Sequence, residues 1–283
     1  MELNGNQLLI QSQSPTYQQF PGLCKNNGCS LKYFYLKESE GWKLDADSLR
    51  AAVSNSTDVV HVVNPNNPTA KILTLEEMDL IVTHCRSVDA WLVVDEVYAG
   101  AEREGDAITP SFYSMYEKCV AIGSMSKAYG LPGLRIGWAI GCATVIAKCW
   151  RHHEYVAISS GMIDNMLAEE ALLNRPRILQ RTRGLIRNGW SLVQCAVEEN
   201  SDILSVVPPQ ASAMCFLKYH LSVDSMTVSR KLATQEKILV VPGILFDEEF
   251  HLRFSFALPP DAVKLGLARL VKVLREFRGM ENV

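Results

Sequence analysis

Between Gly123 and Gly137 the chain reads GSMSKAYGLPGLRIG, which sets two hydroxyls (Ser124, Ser126), an amine (Lys127) and a guanidinium (Arg135) around a Gly/Pro turn. A lysine with hydroxyls and an arginine nearby can cradle a phosphate, although no Gly-x-x-x-x-Gly-Lys-Ser/Thr frame fits these residues. Taken alone, the stretch reads better as a solvated loop lysine beside an ordinary surface arginine. One unit upstream, an apolar run ends in Asp95, with Tyr98 three residues beyond it. Further upstream, Val59 to Val63 ends in Asn64-Pro65-Asn66-Asn67-Pro68-Thr69. An aspartate at a strand end is often a cap or half of an ion pair, and Asn-Pro steps make turns in their own right. As a set the residues offer more: a carboxylate for a protonated ring nitrogen, an amide or phenol for a ring oxygen, an amine for an aldehyde, and hydroxyls with a guanidinium for a phosphate.

The elements that must position this set follow from hydrophobic patterning. Leu8 to Ile10, Leu31 to Leu36, Val59 to Val63, Trp91 to Val94, Val120 to Ile122 and Ile136 to Ile140 read as strands. Helical stretches end near Cys24, run from Asp45 to Val53, and run from a capping box at Thr74-Leu75-Glu76-Glu77 to about Cys85. Strands that are apolar throughout and alternate with helices imply a mostly parallel, mixed sheet sandwiched by helices, an α/β fold. Ligands to such sheets bind outside the carboxyl ends of the strands. Asn67, Asp95 with Tyr98, and Ser124 with Lys127 follow successive strands, so the fold gathers them on one rim.

Beyond Gly141 the βα rhythm stops. Thr144 to Tyr155 and Ile163 to Leu173 read as helices, and Asn174 with Pro176 opens a long helix to about Glu199. Ser205 to Val207, Ala213 to Tyr219, Ile238 to Val241 and Leu252 to Phe256 read as strands. Helices over Ser225 to Gln235 and Pro260 to Phe277 complete a smaller α+β domain. We place the domain boundary between residues 1–176 and 177–283.

The 283 residues are 48% hydrophobic with a formal net charge of −3, which gives no electrostatic case for a nucleic-acid partner. No apolar stretch approaches the roughly 20 residues of a spanning helix, and the opening residues lack the pattern of a secretory signal. The eight cysteines are scattered without a Cys-x-x-Cys pair, and the neighbouring His152 and His153 diverge on a helix. No metal site, no membrane anchor, reduced thiols and a cytoplasmic location are therefore expected.

The motifs NPNNPTA, VVDEVY, SMSKAYGLPGLRIGW and HLRFSF, in this order, resemble the class I/II aminotransferases of the fold type I pyridoxal 5′-phosphate enzymes, from about Ser14 to the C-terminus. The resemblance implies that Lys127 is the Schiff-base lysine and proton shuttle, and that Asp95 pairs with the pyridinium. It implies that Tyr98 and Asn67 bond the ring oxygen, that Ser124, Ser126 and Arg135 hold the phosphate, and that Tyr17 stacks on the ring. Arg253 matches the arginine that grips the substrate α-carboxylate, with Asn67 beside it. The implied activity is transfer of an amino group from an L-amino acid to a 2-oxo acid by a homodimer.

Family members carry further chain, with a first strand and a Gly-rich phosphate turn, before the point where this sequence starts. Ala70 stands where the family commonly has glycine, so a positive φ there would be strained. Cis peptide bonds are expected at Asn67-Pro68 and Ser14-Pro15. The same machinery also serves lyases, cyclising synthases and oxidases of this fold, and a non-catalytic paralogue acting through dimerisation is a further reading.

Overall fold

The computed structural model describes residues 7–281. In chain order the first part contains β1 (Leu9–Ser14), α1 (Gln19–Asn26), β2 (Ser30–Lys37), β3 (Lys43–Leu44), α2 (Ala46–Ala52), β4 (Val59–Val63), α3 (Leu75–Ser87), β5 (Trp91–Asp95), β6 (Cys119–Ser124) and β7 (Gly137–Ile140). These strands form one seven-stranded sheet in the order β3-β2-β1-β4-β5-β6-β7. Neighbours from β2 to β6 are parallel, while β3 and β7 run antiparallel at the edges. The expected mixed α/β sheet is therefore present.

The apolar runs account for most of this layer. All five residues of β4 are buried, because helices cover both faces. The Thr74 capping box forms as expected: Thr74 Oγ1 accepts from the Glu77 amide, and Glu77 Oε2 accepts from the Thr74 amide. Glu77 Oε1 also accepts from the Leu44 amide, which fixes the two-residue strand β3 that patterning alone does not indicate.

β1 continues through Gln11, Ser12, Gln13 and Ser14, past the Ile10 end expected from its apolar residues, and all four polar residues are buried. Lateral hydrogen bonds satisfy part of this polarity. Gln13 Oε1 accepts from the Val63 amide at 3.0 Å, and Ser12 Oγ meets His61 Nδ1 at 2.9 Å. Burial pushes the His61 imidazole down to about 3, so it is neutral, stacked on Phe20 with ring centroids 3.7 Å apart.

The second part contains α4 (Ala143–Val156), α5 (Met162–Leu173), α6 (Arg175–Glu199), β8 (Leu204–Val206), β9 (Met214–Tyr219), α7 (Ser225–Lys231), β10 (Val241–Pro242), β11 (His251–Ser255) and α8 (Pro260–Glu281). Its four strands form an antiparallel sheet in the order β10-β11-β9-β8. The helix expected over Ser225 to Gln235 is α-helical only to Lys231 and ends in a π turn over Leu232–Glu236. Of the expected strand Ile238 to Val241, only Val241 enters the ladder, because Lys237 adopts a left-handed φ of 56° and the Ile238 amide bonds back to the Leu232 carbonyl.

The two sheets share their packing. Phe216 of β9 and Phe246 lie in the core of the seven-stranded layer, while Met125, Ala128 and Tyr129, from the connection after β6, lie in the core built around α6 and α8. α4 buries none of its residues, and no helix among the described residues is long and apolar enough to cross a membrane. All eight cysteines are free thiols, and no cluster able to hold a metal occurs among the described residues.

Candidate active site

The chain order reverses direction in the sheet between β1 and β4, and at such a switch point the connections splay to leave a crevice. The segment after β1 carries Ser14-Pro15-Thr16-Tyr17, and the segment after β4 carries Asn64 to Thr69. Asn66 joins them: its Nδ2 donates to the Pro15 carbonyl at 3.2 Å and to Gln13 Oε1 at 3.3 Å, while its Oδ1 accepts from the Thr69 amide and hydroxyl. The peptide bonds Ser14-Pro15 and Asn67-Pro68 are cis, as expected, and Asn64-Pro65 is a third. Ala70, fully buried, adopts φ 57°, so the conformation glycine would take freely is held here by alanine. Asn66, which sequence reasoning passed over because its type is explained by the turn alone, is thus the residue that ties the segments after β1 and β4 together.

The β4, β5 and β6 ends are in register, with Val63 opposite Asp95 and Asp95 opposite Ile122. Asp95 Oδ1 accepts from the Val97 amide at 3.0 Å. Burial raises the Asp95 pKa, opposed by that hydrogen bond and by the positive charge of Lys127. Tyr98 is buried and lies at the centre of the group. Lys127 Nζ sits 5.9 Å from its ring centroid, and the charges of Arg253, Asp95 and Tyr17 all act on its hydroxyl, whose pKa burial drives strongly upward. The Lys127 ammonium is exposed and has no ion-pair partner within 4.0 Å among the described residues.

Arg253, on β11 of the four-stranded sheet, reaches across to the seven-stranded layer. Its Nη1 donates to Asn67 Oδ1 at 3.0 Å, and its guanidinium lies 5.4 Å from the centroid of the Phe246 ring. Its Nε is buried without a hydrogen-bond partner, and the side chain lies within electrostatic reach of Tyr98 and Tyr17. The Ser126 amide donates to Ser124 Oγ at 3.0 Å, so these two form one turn at the end of β6. Arg135, exposed and in a left-handed conformation with φ 53°, donates only to the Pro132 carbonyl among the described residues. Thus Asp95, Lys127, Arg253 and Tyr17 lie around the Tyr98 phenol, Asn67 joins them through Arg253, Ser124 and Ser126 touch each other, and Arg135 hydrogen-bonds none of that group.

Beside Lys127 a cavity of about 240 Å³ is lined by Tyr98, Ser126, Thr182, Ser212, Met214 and Ser255, among others. Ser212 is fully buried there with its hydroxyl unpaired. Neither Thr182 nor Ser212 stands in a recognisable motif, so only the packing of α6 against the loop before β9 brings them to the lysine.

The chain matches the family described as aminotransferase class I and II over residues 3–270, and it belongs to that family. Its fold superposes on a PLP-dependent aminotransferase from Streptococcus suis 89-1591 with a TM-score of 0.89 and 29% identity, covering 96% of this chain and 71% of that one. An aspartate aminotransferase variant from Thermus thermophilus shares the fold, with a TM-score of 0.86 and 24% identity over 94% of this chain and 70% of its own. Nicotianamine aminotransferase A of Hordeum vulgare is 25% identical over 275 residues, which are 90% of this chain and 59% of that protein. Capreomycidine synthase of Streptomyces vinaceus is 23% identical over 261 residues, or 92% and 67% respectively. The chain spans about half to two thirds of the length of the curated relatives it matches.

Proposed function

We propose that this protein is a pyridoxal-phosphate-dependent aminotransferase that moves the amino group of an L-amino acid to a 2-oxo acid. The observation that carries the reading is the convergence on Tyr98 of a carboxylate (Asp95), an unpaired amine (Lys127) and a guanidinium that already bonds an amide (Arg253 with Asn67). The donor set fits the cofactor: a half-buried carboxylate, an amine without an ion pair, a hydroxyl turn at a strand end, and an orphaned guanidinium N–H.

When bound, pyridoxal phosphate supplies an aldehyde and an electron-withdrawing protonated ring. Asp95 would pair with the ring nitrogen and keep its proton in place. Tyr98 and Asn67 would hold the ring oxygen, Tyr17 would cover the ring, and Ser124, Ser126 and Arg135 would hold the phosphate. Arg253 takes the substrate α-carboxylate through its free edge, with Asn67 orienting the guanidinium. Lys127 Nζ, held beside the Tyr98 ring, is the base that removes the α-proton and returns it. Residues 1–176 form the cofactor-binding domain and residues 177–283 the smaller one.

The reading also carries an expectation of self-association. Tyr155, Ile158, Met162, Ile163 and Leu173 on and between α4 and α5 are 70% or more exposed, an apolar face larger than a monomer ordinarily presents to water. We assign this face to the contact in a homodimer, to be checked by sedimentation.

The test is reconstitution with pyridoxal phosphate, followed by the visible absorbance of the bound cofactor. Wild type gains that absorbance and Lys127→Ala does not. The similarity to a capreomycidine synthase keeps a cyclising or eliminating outcome as a second reading. Product analysis separates the two, since only transfer consumes one 2-oxo acid for each new amino acid. A protein that stays colourless, or colours equally with Lys127 removed, refutes the assignment.

A further inference from the structure

On one face of the four-stranded sheet, His251 and Arg253 of β11 stand opposite Lys218 and Phe216 of β9. Residues two apart on a strand share a face, so all four point toward the seven-stranded layer. One end of this face is tied at the site, where Arg253 bonds Asn67. The other end is tied by Glu38, in the turn after β2. Its Oε1 lies 3.1 Å from His251 Nε2, and its Oε2 lies 2.5 Å from Lys218 Nζ. Between the ties, an aromatic ladder connects them: the His251 ring stacks on Phe216 at 4.6 Å, Phe216 meets Phe246 edge to face at 5.7 Å, and Phe246 lies under the Arg253 guanidinium.

The His251 ring is buried and both its nitrogens face acceptors, since Nδ1 meets the Glu249 carbonyl at 2.8 Å and Nε2 meets the carboxylate. A carbonyl and a carboxylate only accept, so the ring is held from both sides, by its own chain at Nδ1 and by Glu38 at Nε2. Glu38 is correspondingly acidic. Burial raises its pKa, but the hydrogen bonds from His251 and Lys218 outweigh that and hold it at about 2. Without the carboxylate, Lys218 loses its ion-pair partner and His251 loses the acceptor at its Nε2, both on the face of the β9–β11 ladder. Glu248, from the turn before β11, feels the same charges, yet it belongs to the same sheet as His251 and cannot tie that sheet to the other.

We propose that Glu38 is a positioning residue: by holding His251 and Lys218 it fixes β11 against the seven-stranded sheet and so sets where the Arg253 guanidinium lies. That the guanidinium serves a substrate carboxylate rests on the aminotransferase reading; the mechanical coupling does not. His251 and Arg253 are only about 7 Å apart along the strand, so a shift at one end reaches the other undamped.

The experiment follows the Arg253 Nε–H in protein labelled with ¹⁵N-arginine and free of cofactor, assigned by its loss in Arg253→Lys. Glu38→Ala speeds exchange of this buried hydrogen with solvent about tenfold, and Glu38→Gln, which keeps the side chain's size and remains folded, speeds it about threefold. Asp45→Asn, which removes the charge partner of Lys37 on the same sheet edge without touching β11, leaves the rate unchanged. Unchanged exchange and chemical shift in Glu38→Gln overturn the proposal. Equal acceleration in Asp45→Asn overturns it too, by showing general loosening. Because this measurement needs no cofactor, a colourless protein would sink the aminotransferase reading and leave this result standing. In active, reconstituted protein Glu38→Gln raises KM for the amino donor severalfold with little change in kcat, whereas a fall in kcat at constant KM counts against the proposal.

Discussion

Glu102 and Arg183 form an ion pair buried to about 5% exposure on each side, and its removal has a calculable consequence. Glu102 sits four residues after Tyr98, and Arg183 lies on α6. Glu102 Oε2 accepts from Arg183 Nη2 at 2.7 Å, while Oε1 accepts from the Gly100 amide, the Thr109 amide and the Thr109 hydroxyl. Arg183 in turn donates to the Asp106 and Ala107 carbonyls. The pair thereby pins the turn that aims Tyr98, where Gly100 has φ 102° and a Cβ would meet Leu179 at 3.0 Å. Breaking a buried pair from one side costs about 3–5 kcal/mol.

The two sides are unequal. Arg183→Ala leaves a carboxylate that still has three donors, so its cost falls near about 3 kcal/mol. Glu102→Ala takes the buried counter-charge from the guanidinium, which keeps only the Asp106 and Ala107 carbonyls and the exposed Asp106 carboxylate, and orphans three further donors, each worth roughly 1–3 kcal/mol in non-additive fashion, so its cost is about 5 kcal/mol. A domain stable by about 5–15 kcal/mol would survive the first and approach unfolding with the second. Urea denaturation monitored by tryptophan fluorescence and circular dichroism measures both. If each substitution costs less than about 1 kcal/mol, or if Arg183→Ala is the more damaging, the reasoning about stranded donors is wrong.

Ala70→Gly relieves the left-handed strain of a buried alanine at some cost in unfolded-chain entropy. It is expected to stabilise by about 0.5–1 kcal/mol, a rise in Tm of about 1–4 °C by calorimetry. Glu38, held at about 2 against an unfolded value of 4.5, has a depressed folded pKa. It contributes stability fully present above about pH 4.5 and lost as pH falls toward about 2. That contribution is roughly 3 kcal/mol unscreened and about half that for a partly solvated group, and Glu38→Gln should flatten the acid limb of the stability curve by this amount. Asp95→Asn removes the one carboxylate facing the proposed ring nitrogen, so turnover should fall at least about a hundredfold while urea stability changes little.

What could be read from the amino acids alone was whatever a short window encodes. β4 and β5 announce themselves because strands in the middle of a covered sheet are built mostly of apolar residues, and the Thr74 box because its two hydrogen bonds close within four residues. The site residues at the β4, β5 and β6 ends were legible for a related reason: a reactive type placed just after a buried strand projects from a predictable rim. β1 was cut short because Gln-Ser-Gln-Ser carries no apolar signal; its burial is made tolerable by Val63, Asn66 and His61, some fifty residues away. The run at Ile238 failed in the opposite sense. Ile238 and Val240 serve the core around α7 and α8 while Leu239 faces solvent, and the left-handed Lys237 keeps all but Val241 off the ladder.

The tie between Glu38 and His251 joins residues 213 positions apart, and each looks ordinary in its own neighbourhood. Such pairings depend on how one sheet is laid against another, which no local pattern reports. The same dependence explains why residue chemistry indicated the aspartate, tyrosine and lysine, whereas the position of the guanidinium that completes the group depends on a strand in the other sheet. If Glu38 does govern that position, the part of the site that local sequence leaves least visible is also the part most open to tuning from a distance.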